Sequence, residues 1–517
     1  MKLNQSSISW AMKHLFKESD TDLFPKPLEI KVINDMHDKV LDKLKDVDLG
    51  NYKWKAARRF VIPKAEFSYR IVTQLDPIDS ILFSAIVYEY GKFIESRRQP
   101  INKVFSYRFS PSSDGTLYSN QTAWSDFWQT CLQKSKSFKY IVYLDIADFY
   151  NQIYHHVIEN QLISCGLPNQ IIRSVINLLG SVTQTVSRGI PIGPHASHLI
   201  AEMSLIPIDE SLVLRKIEFC RYADDIVIFC DSEMEAKINI YTIAEILDKQ
   251  QRLILQRQKT KIYTAEEFQR ICDQMLKDNP INKLEEKMIK VILKHSSGDP
   301  YKHISMSNLT IEEKEMFTKE KIEALILEYL KEFEPNYPRL RWFYRRLTQI
   351  GTTHAIEFSI KNMEKLIPAI SDVCHYLISA AGNYDKDWKI FGDDVLRLLD
   401  NDLIKSNEFF QITLLNLFVN NTKLNHFNKL IEMYRSSSEN LRRKIILAAY
   451  SMNAESWVRE LKEDYPKFDI WNKRAMLIAS SLLPAEERKH FLQHIKSSLS
   501  SDDILESILI EWALKQN

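Results

Sequence analysis

The stretch Ile217 to Cys230, I-E-F-C-R-Y-A-D-D-I-V-I-F-C, places two short apolar runs on either side of two adjacent acids, Asp224 and Asp225. Apolar runs of strand length around a tight polar turn predict a β-hairpin with the acids at its tip. A carboxylate withdrawn from water without a compensating cation is costly, so the pattern is either an exposed acidic turn or a seat for a cation. A further acid favours the cation: Asp145 ends the apolar run of Y-I-V-Y-L-D-I-A-D-F-Y, and two strands then deliver carboxylates from their ends. Hard divalent ions such as Mg2+ take oxygen ligands and are held by one or two carboxylates plus substrate phosphates; Mn2+ is the expected substitute. Asp145, Asp224 and Asp225 suffice for a two-metal site. There one ion activates an attacking 3′ oxygen and the other stabilises the leaving pyrophosphate of an in-line displacement.

Other metal-binding side chains are less promising. His155 with His156, and His195 with His198, lack a Cys or acid at zinc spacing, and core or surface histidines are expected. The six cysteines show no C-x-x-C spacing, which suggests neither a zinc site nor a disulfide framework. Cys220 and Cys230 flank the hairpin closely enough to approach one another, although reduced core residues are the ordinary outcome.

Y-A-D-D with an upstream D-I-x-x-F-Y resembles the palm of reverse transcriptases, and further landmarks follow in the right order between Asn51 and Thr264. The resemblance implies that Lys64, in V-I-P-K, and Arg70, in S-Y-R-I-V, hold the triphosphate of an incoming nucleotide. It likewise implies that the loop R-G-I-P-I-G-P, with Pro191 at its centre, lines template and nucleotide, and that Q-K-T-K-I carries a lysine beside the active site. Lys259 is the candidate acid for the departing pyrophosphate, with Lys261 the competing choice. Tyr150, five residues after Asp145, stands where the family keeps an aromatic beneath the sugar. Such a ring excludes a 2′-hydroxyl sterically, so Tyr150→Val should admit ribonucleotides while Tyr150→Phe should behave nearly as wild type. The chain departs from many relatives in having Arg188 before the loop's first Gly and Gly193 before its last Pro.

A palm that runs into helices, with no recognisable thumb, is similar to the abortive-infection reverse transcriptases of bacterial phage defence. That likeness implies dNTP polymerisation without a template, primed by a protein hydroxyl, and helical domains that form homo-oligomers. A Tyr, whose phenol loses its proton more easily than a serine hydroxyl, is the expected point of attachment of the single-stranded DNA product, with Tyr52 and Tyr118 as candidates. A conventional RNA-templated enzyme of retron or intron ancestry is the alternative. An idle palm serving as helical scaffold or phage sensor is another.

The elements that must position these residues belong to an ordinary globular chain: 517 residues, 45% hydrophobic and 26% charged, enough for two or three domains. No apolar run approaches the roughly 18 residues needed to cross a bilayer, and the N-terminus has no apolar core behind its Lys. No membrane partner and a cytoplasmic location are therefore expected. A net charge of +1 offers little counterion release to a nucleic acid. Local basic clusters do occur, notably Arg339, Arg341, Arg345 and Arg346 around Trp342, Phe343 and Tyr344. That alternation suits either a solvated helix face or a single-strand surface.

Residues 1–50 read as short helices broken at Pro25 and Pro27; residues 51–270 read as fingers and palm, an antiparallel sheet backed by helices, with a turn-rich surface loop from Ser110 to Asn120. None of the eleven glycines follows Gly392, and no proline lies between Pro368 and Pro466. Apolar residues at three- and four-residue spacing then predict an all-α domain over 271–517, with helix pairs stacked in HEAT-like fashion. The fold class expected is α+β followed by all-α.

Overall fold

The computed structural model describes residues 1–19, 23–65, 68–119, 122–277, 280–296, 303–331, 335–500 and 503–516. Eight strands lie among them: β1 Arg58–Ala65, β2 Ser68–Gln74, β3 Arg108–Phe109, β4 Tyr118–Ser119, β5 Tyr140–Asp145, β6 Glu218–Tyr222, β7 Asp225–Cys230 and β8 Lys261–Thr264. The contacts divide the chain into two compact units, neither continuous in sequence. One comprises Met1–Asp22, Ile33–Arg59 and Thr73–Asn279; the other comprises Leu23–Val32, Phe60–Val72 and Pro280–Asn517.

The first unit is built around a four-stranded sheet in the order β6-β7-β5-β8, antiparallel throughout. Its two central strands, β5 and β7, are near-continuous apolar runs because both of their faces are covered. Ile141, Val227, Phe229 and Cys220 form one buried cluster with Phe127, Trp128, Phe268 and Cys272, residues of the helices Ala123–Ser135 and Ala265–Leu276. The alternate residues Val142, Leu144, Ile226 and Ile228 are buried on the opposite face, where side chains of period two must point. The helix Glu233–Gln251 runs against β7 and β5. Cys220 shares its cluster with Cys131 and Cys272, whereas Cys230 accepts a hydrogen bond from Asn239 at 3.5 Å. The two cysteines therefore do not meet, and all six are free.

The N-terminal helix Gln5–Glu18 packs on the apolar helix Pro77–Glu95. It also captures the turn-rich segment after Ser110. Trp10 donates to the Ser112 carbonyl at 2.7 Å, His14 Nδ1 lies 2.7 Å from the Gly115 carbonyl, and Lys17 bonds Asp114 at 2.6 Å. Gly115 has φ of +95°, and an added Cβ would lie 3.0 Å from the His14 backbone. The expected surface loop is thus half buried, held by a helix far away in sequence; its last residue, Asn120, lies outside the described residues.

In the second unit every described element after residue 280 is helical. Helices Glu408–Asn420, Glu439–Ser451, Ile470–Ala479 and Ile504–Leu514 pack each against the next. Phe427–Tyr434, Glu455–Leu461 and Ala485–Ser497 come between them in sequence. Two segments from the N-terminal region complete this unit. Glu29 pairs with Arg443 at 2.7 Å in full burial, and Phe24 packs on both Phe60 and Phe409. Arg339 is not a surface cation: it pairs with the buried Glu285, and its guanidinium lies 3.8 Å from the Trp342 ring. Arg345 is bonded to Asp372 at 2.7 Å. The alternation of Arg and aromatics here serves internal pairing as much as any surface.

Candidate active site

The predicted hairpin is β6 and β7, joined by Ala223 and Asp224. Ala223 has φ of 51°, a left-handed conformation that costs a residue with a side chain roughly 1–2 kcal/mol. Three bonds hold it there. The Ala223 amide donates to Ser106 Oγ at 2.8 Å, its carbonyl accepts from Arg221 Nη1 at 2.9 Å, and Ile146 N donates to the Asp224 carbonyl at 3.2 Å.

Register brings the acids together. Asp145 and Asp225 are direct partners across β5 and β7, and directly opposed residues point to the same face of a sheet. Asp224 sits one residue before, in the turn. Tyr143, two residues before Asp145 and on the same face, donates its hydroxyl to Asp225 Oδ1 at 2.5 Å. Burial pushes the Asp225 carboxyl up to about 6; the Tyr143 bond opposes this, and the charges of Asp224 and Asp145 add to it. Lys259 reaches Asp145 Oδ2 at 2.5 Å, placed by a segment whose Gln256 amide donates to the Asp145 carbonyl at 2.7 Å. Burial would lower the Lys259 pKa, but the bond and charge of Asp145, with Asp225 and Asp224, raise it above its usual value.

Three carboxylates against one ammonium leave surplus negative charge in a partly buried place, which is the chemistry of an oxygen-donor cation site. On that donor set the three acids fit a divalent ion, although among the described residues no group of three or more His, Cys, Asp or Glu is already arranged to grip one.

Beneath the turn lies a buried ion network that reasoning from sequence missed. Arg221 is fully buried and grips Asp209 with two bonds, 2.8 and 2.6 Å, and Glu202 with a third at 3.0 Å. Arg98 bonds Glu202 at 2.7 Å, and Ser106 donates to the same carboxylate at 2.5 Å. Burial would raise Glu202, but Arg221 and Arg98, with Ser106, hold it below the usual range. Two cations and two anions cancel, and their hydrogen bonds end on the turn that carries Asp224. The available signal was a charge inside each apolar run: Arg221 before Y-A-D-D, Glu202 in I-A-E-M, and Asp209 in I-P-I-D.

Tyr150 lies on the short helix Phe149–Gln152, and its carbonyl accepts from Ile190 N at 3.0 Å. Gly189 N donates to the Ile153 carbonyl at 2.8 Å, and Thr73 N donates to the Ile192 carbonyl at 2.8 Å. The buried Pro191 stands between these anchors, so the structure brings the loop and Tyr150 together. Gly189 has φ of +96° with the Asn151 backbone 3.5 Å from an added Cβ, which explains the glycine. His155 is a core residue bonded to the Gly189 carbonyl at 2.8 Å. Lys64 and Arg70 belong to the second unit. There Arg341 donates to the Lys64 carbonyl, and Asn407 donates to the Val61 carbonyl at 2.9 Å.

Residues 62–284 match the family model described as reverse transcriptase (RNA-dependent DNA polymerase). That match supports the expected enzyme class, a nucleotidyltransferase of the RNA-directed DNA polymerase family. No curated protein matches. Among solved structures, the chain is similar to one of telomerase from Candida albicans in complex with a fragment of telomeric RNA. The identity is 11% over 68% of this chain and 65% of that one, with a TM-score of 0.32. The chain thus spans somewhat less than two thirds of that protein's length. Among the described residues no helix is long and apolar enough to cross a membrane.

Proposed function

We propose that this protein is a DNA polymerase of reverse-transcriptase type that acts in phage defence by abortive infection and adds dNTPs without a template. The observation that carries the polymerase reading is the opposition of Asp145 and Asp225 across β5 and β7 with Asp224 in the adjoining turn. These three would hold two Mg2+ ions, which supply the charge that activates a 3′ hydroxyl and steadies the leaving pyrophosphate. Lys64 and Arg70 give fixed positive charge to the triphosphate, with Arg suited to bidentate contact. Tyr150 excludes the 2′-hydroxyl, and the loop around Pro191 lines the nucleotide. Lys259, bonded to Asp145 at 2.5 Å, gives a proton to the departing pyrophosphate. Support for the defence reading comes from the run of helices after β8, read as an α-solenoid of HEAT-like pairs that assembles into homo-oligomers.

Priming by a protein tyrosine follows from the charge. At a net +1 little affinity comes from counterion release, whereas a covalent tether keeps the 3′ end at high effective concentration. Tyr52 and Tyr118 are already engaged, donating to Asp79 and to the His195 carbonyl at 2.7 and 2.6 Å. Among the described residues, Tyr241 and Tyr69, 78% and 67% exposed, are the accessible candidates.

The test is incubation of the purified protein with Mg2+ and labelled dNTPs, with and without RNA, followed by denaturation. Label that stays with the polypeptide and moves to a Tyr-containing peptide after nuclease digestion is expected. Synthesis that needs an added RNA and oligonucleotide, with product free of protein, would replace this reading by the RNA-templated one.

A further inference from the structure

The ring of Tyr150 is held at its far end. Its hydroxyl lies 2.6 Å from His198 Nδ1, and the two rings meet edge to face at 5.9 Å and 81°. His198 is carried by the helix Ala196–Ser204, which no motif singles out for this purpose. Its imidazole stacks on Tyr107 at 4.0 Å and 7°, with Tyr118 at 6.3 Å and His195 at 6.2 Å around it.

Tyr107 is itself fixed. It takes φ of 45°, and its carbonyl accepts from Arg98 Nη1 at 2.8 Å, so it hangs from the same ion network that secures the turn of Asp224. Burial drives His198 down to about 3 and pushes the Tyr150 phenol well up. The phenol keeps its proton and the imidazole is neutral. In the tautomer with its ring proton on Nε2, His198 accepts at Nδ1 from the Tyr150 hydroxyl.

A steric gate discriminates only while its ring stays put. A side chain of this length can swing by ~30° about its first torsion at modest cost. A hydrogen bond at the hydroxyl acts at the longest lever arm and opposes that swing. We infer that His198, backed by Tyr107, is the positioning residue that sets sugar discrimination by fixing the ring of Tyr150; this rests on the reading of Tyr150 as the gate. It also revises the expectation for Tyr150→Phe. The ring remains, but its restraint is gone and a buried acceptor is left unpaired.

The experiment compares kcat/KM for a dNTP and the matching rNTP in the full chain with Mg2+, for wild type and for Tyr150→Val, Tyr150→Phe, His198→Phe and His198→Gln. One neutral hydrogen bond is worth about 1 kcal/mol, so His198→Phe, which keeps a stacking ring but removes the acceptor, should lower the dNTP/rNTP ratio about fivefold. The change should fall on the KM for the ribonucleotide. Tyr150→Phe should lose about as much, and combining the two should lose no more than either alone, because the same bond is broken once. His198→Gln, whose amide oxygen can accept from the phenol, should recover much of the ratio. Should His198→Phe fold poorly by thermal melting, Tyr150→Phe reads the same bond from the other side. If Tyr150→Val relaxes the ratio but Tyr150→Phe and His198→Phe do not, the positioning role is overturned and the gate stands. If Tyr150→Val leaves the ratio unchanged, the gate itself is wrong and the inference falls with it.

Discussion

Asn in place of Asp145 or Asp224 keeps the size of the side chain and removes its charge, so each substitution separates chemistry from folding. Nucleotide incorporation should fall to background in either variant, while the melting temperature holds or rises, since like charges beside Asp225 are relieved. The Lys259 bond lost with Asp145 involves a half-exposed ammonium, and such pairs contribute about 0–1 kcal/mol. Incorporation comparable to wild type would remove the acids from the reaction. Titration gives a second prediction. Burial, with His195 and Lys17 nearby, takes His14 down to about 4, and burial with His195 takes His198 to about 3, whereas both titrate near 6.5 when unfolded. As pH falls below 6.5 the unfolded chain takes up protons that the folded chain refuses. This contribution is therefore complete above pH 6.5 and is lost on acidification. Asp225 works in the opposite sense: raised to about 6, it favours the fold below pH 3.8 and loses that contribution as pH rises through 6. Two histidines outweigh one carboxyl, so melts should show lower stability at pH 5 than at pH 7. The slope should flatten in His198→Phe, and a flat profile in wild type would contradict the burial of both rings.

At the scale of elements, the hairpin and the strand of Asp145 were legible because alternating polarity is local: Tyr222, Ala223, Asp224 and Asp225 interrupt runs that could only be strands. The opposition of Asp145 to Asp225 was not legible, because register is set by which faces are buried and no letter records it. The same holds for Arg221. A charge inside an apolar run signals a partner without naming it, and its partners Asp209 and Glu202 come from two separate helices. That network yields a third prediction. Arg221→Met keeps the volume but leaves Asp209 and Glu202 buried with too little positive charge, and breaking a buried pair costs about 3–5 kcal/mol. It also frees the Ala223 carbonyl, so incorporation should drop along with stability. Adding Glu202→Gln should return part of the stability by removing one stranded charge. A single variant that melts like wild type would show the network to be dispensable.

At the scale of the whole chain, the second unit cannot be cut from the sequence in one piece. Its helices after Pro280 hold two earlier segments, Leu23–Val32 and Phe60–Val72, and neither segment has a sequence pattern that announces such a partner. Removing residues 280–517 would strip Arg443 from Glu29, which is fully buried, and Phe409 from Phe24. It would also strip Asn407 and Arg341 from the carbonyls of Val61 and Lys64. Each exposed apolar side chain costs about 1.5–3 kcal/mol, and a buried carboxylate without its partner costs several more. Strand β1 would in addition lose the side-chain donors that cover its carbonyls, leaving an open edge of the kind that pairs with other chains. A fragment ending near residue 279 should therefore be poorly soluble and inactive even though it retains Asp145, Asp224, Asp225 and Lys259. The decisive measurement is the incorporation rate of the soluble fraction beside that of the full chain. A monodisperse fragment with full activity would show that the hairpin bearing Lys64 and Arg70 needs nothing from the helices. In that case point substitutions at Arg341 and Asn407 in the full chain should be silent; otherwise each should weaken dNTP binding, read as a rise in KM.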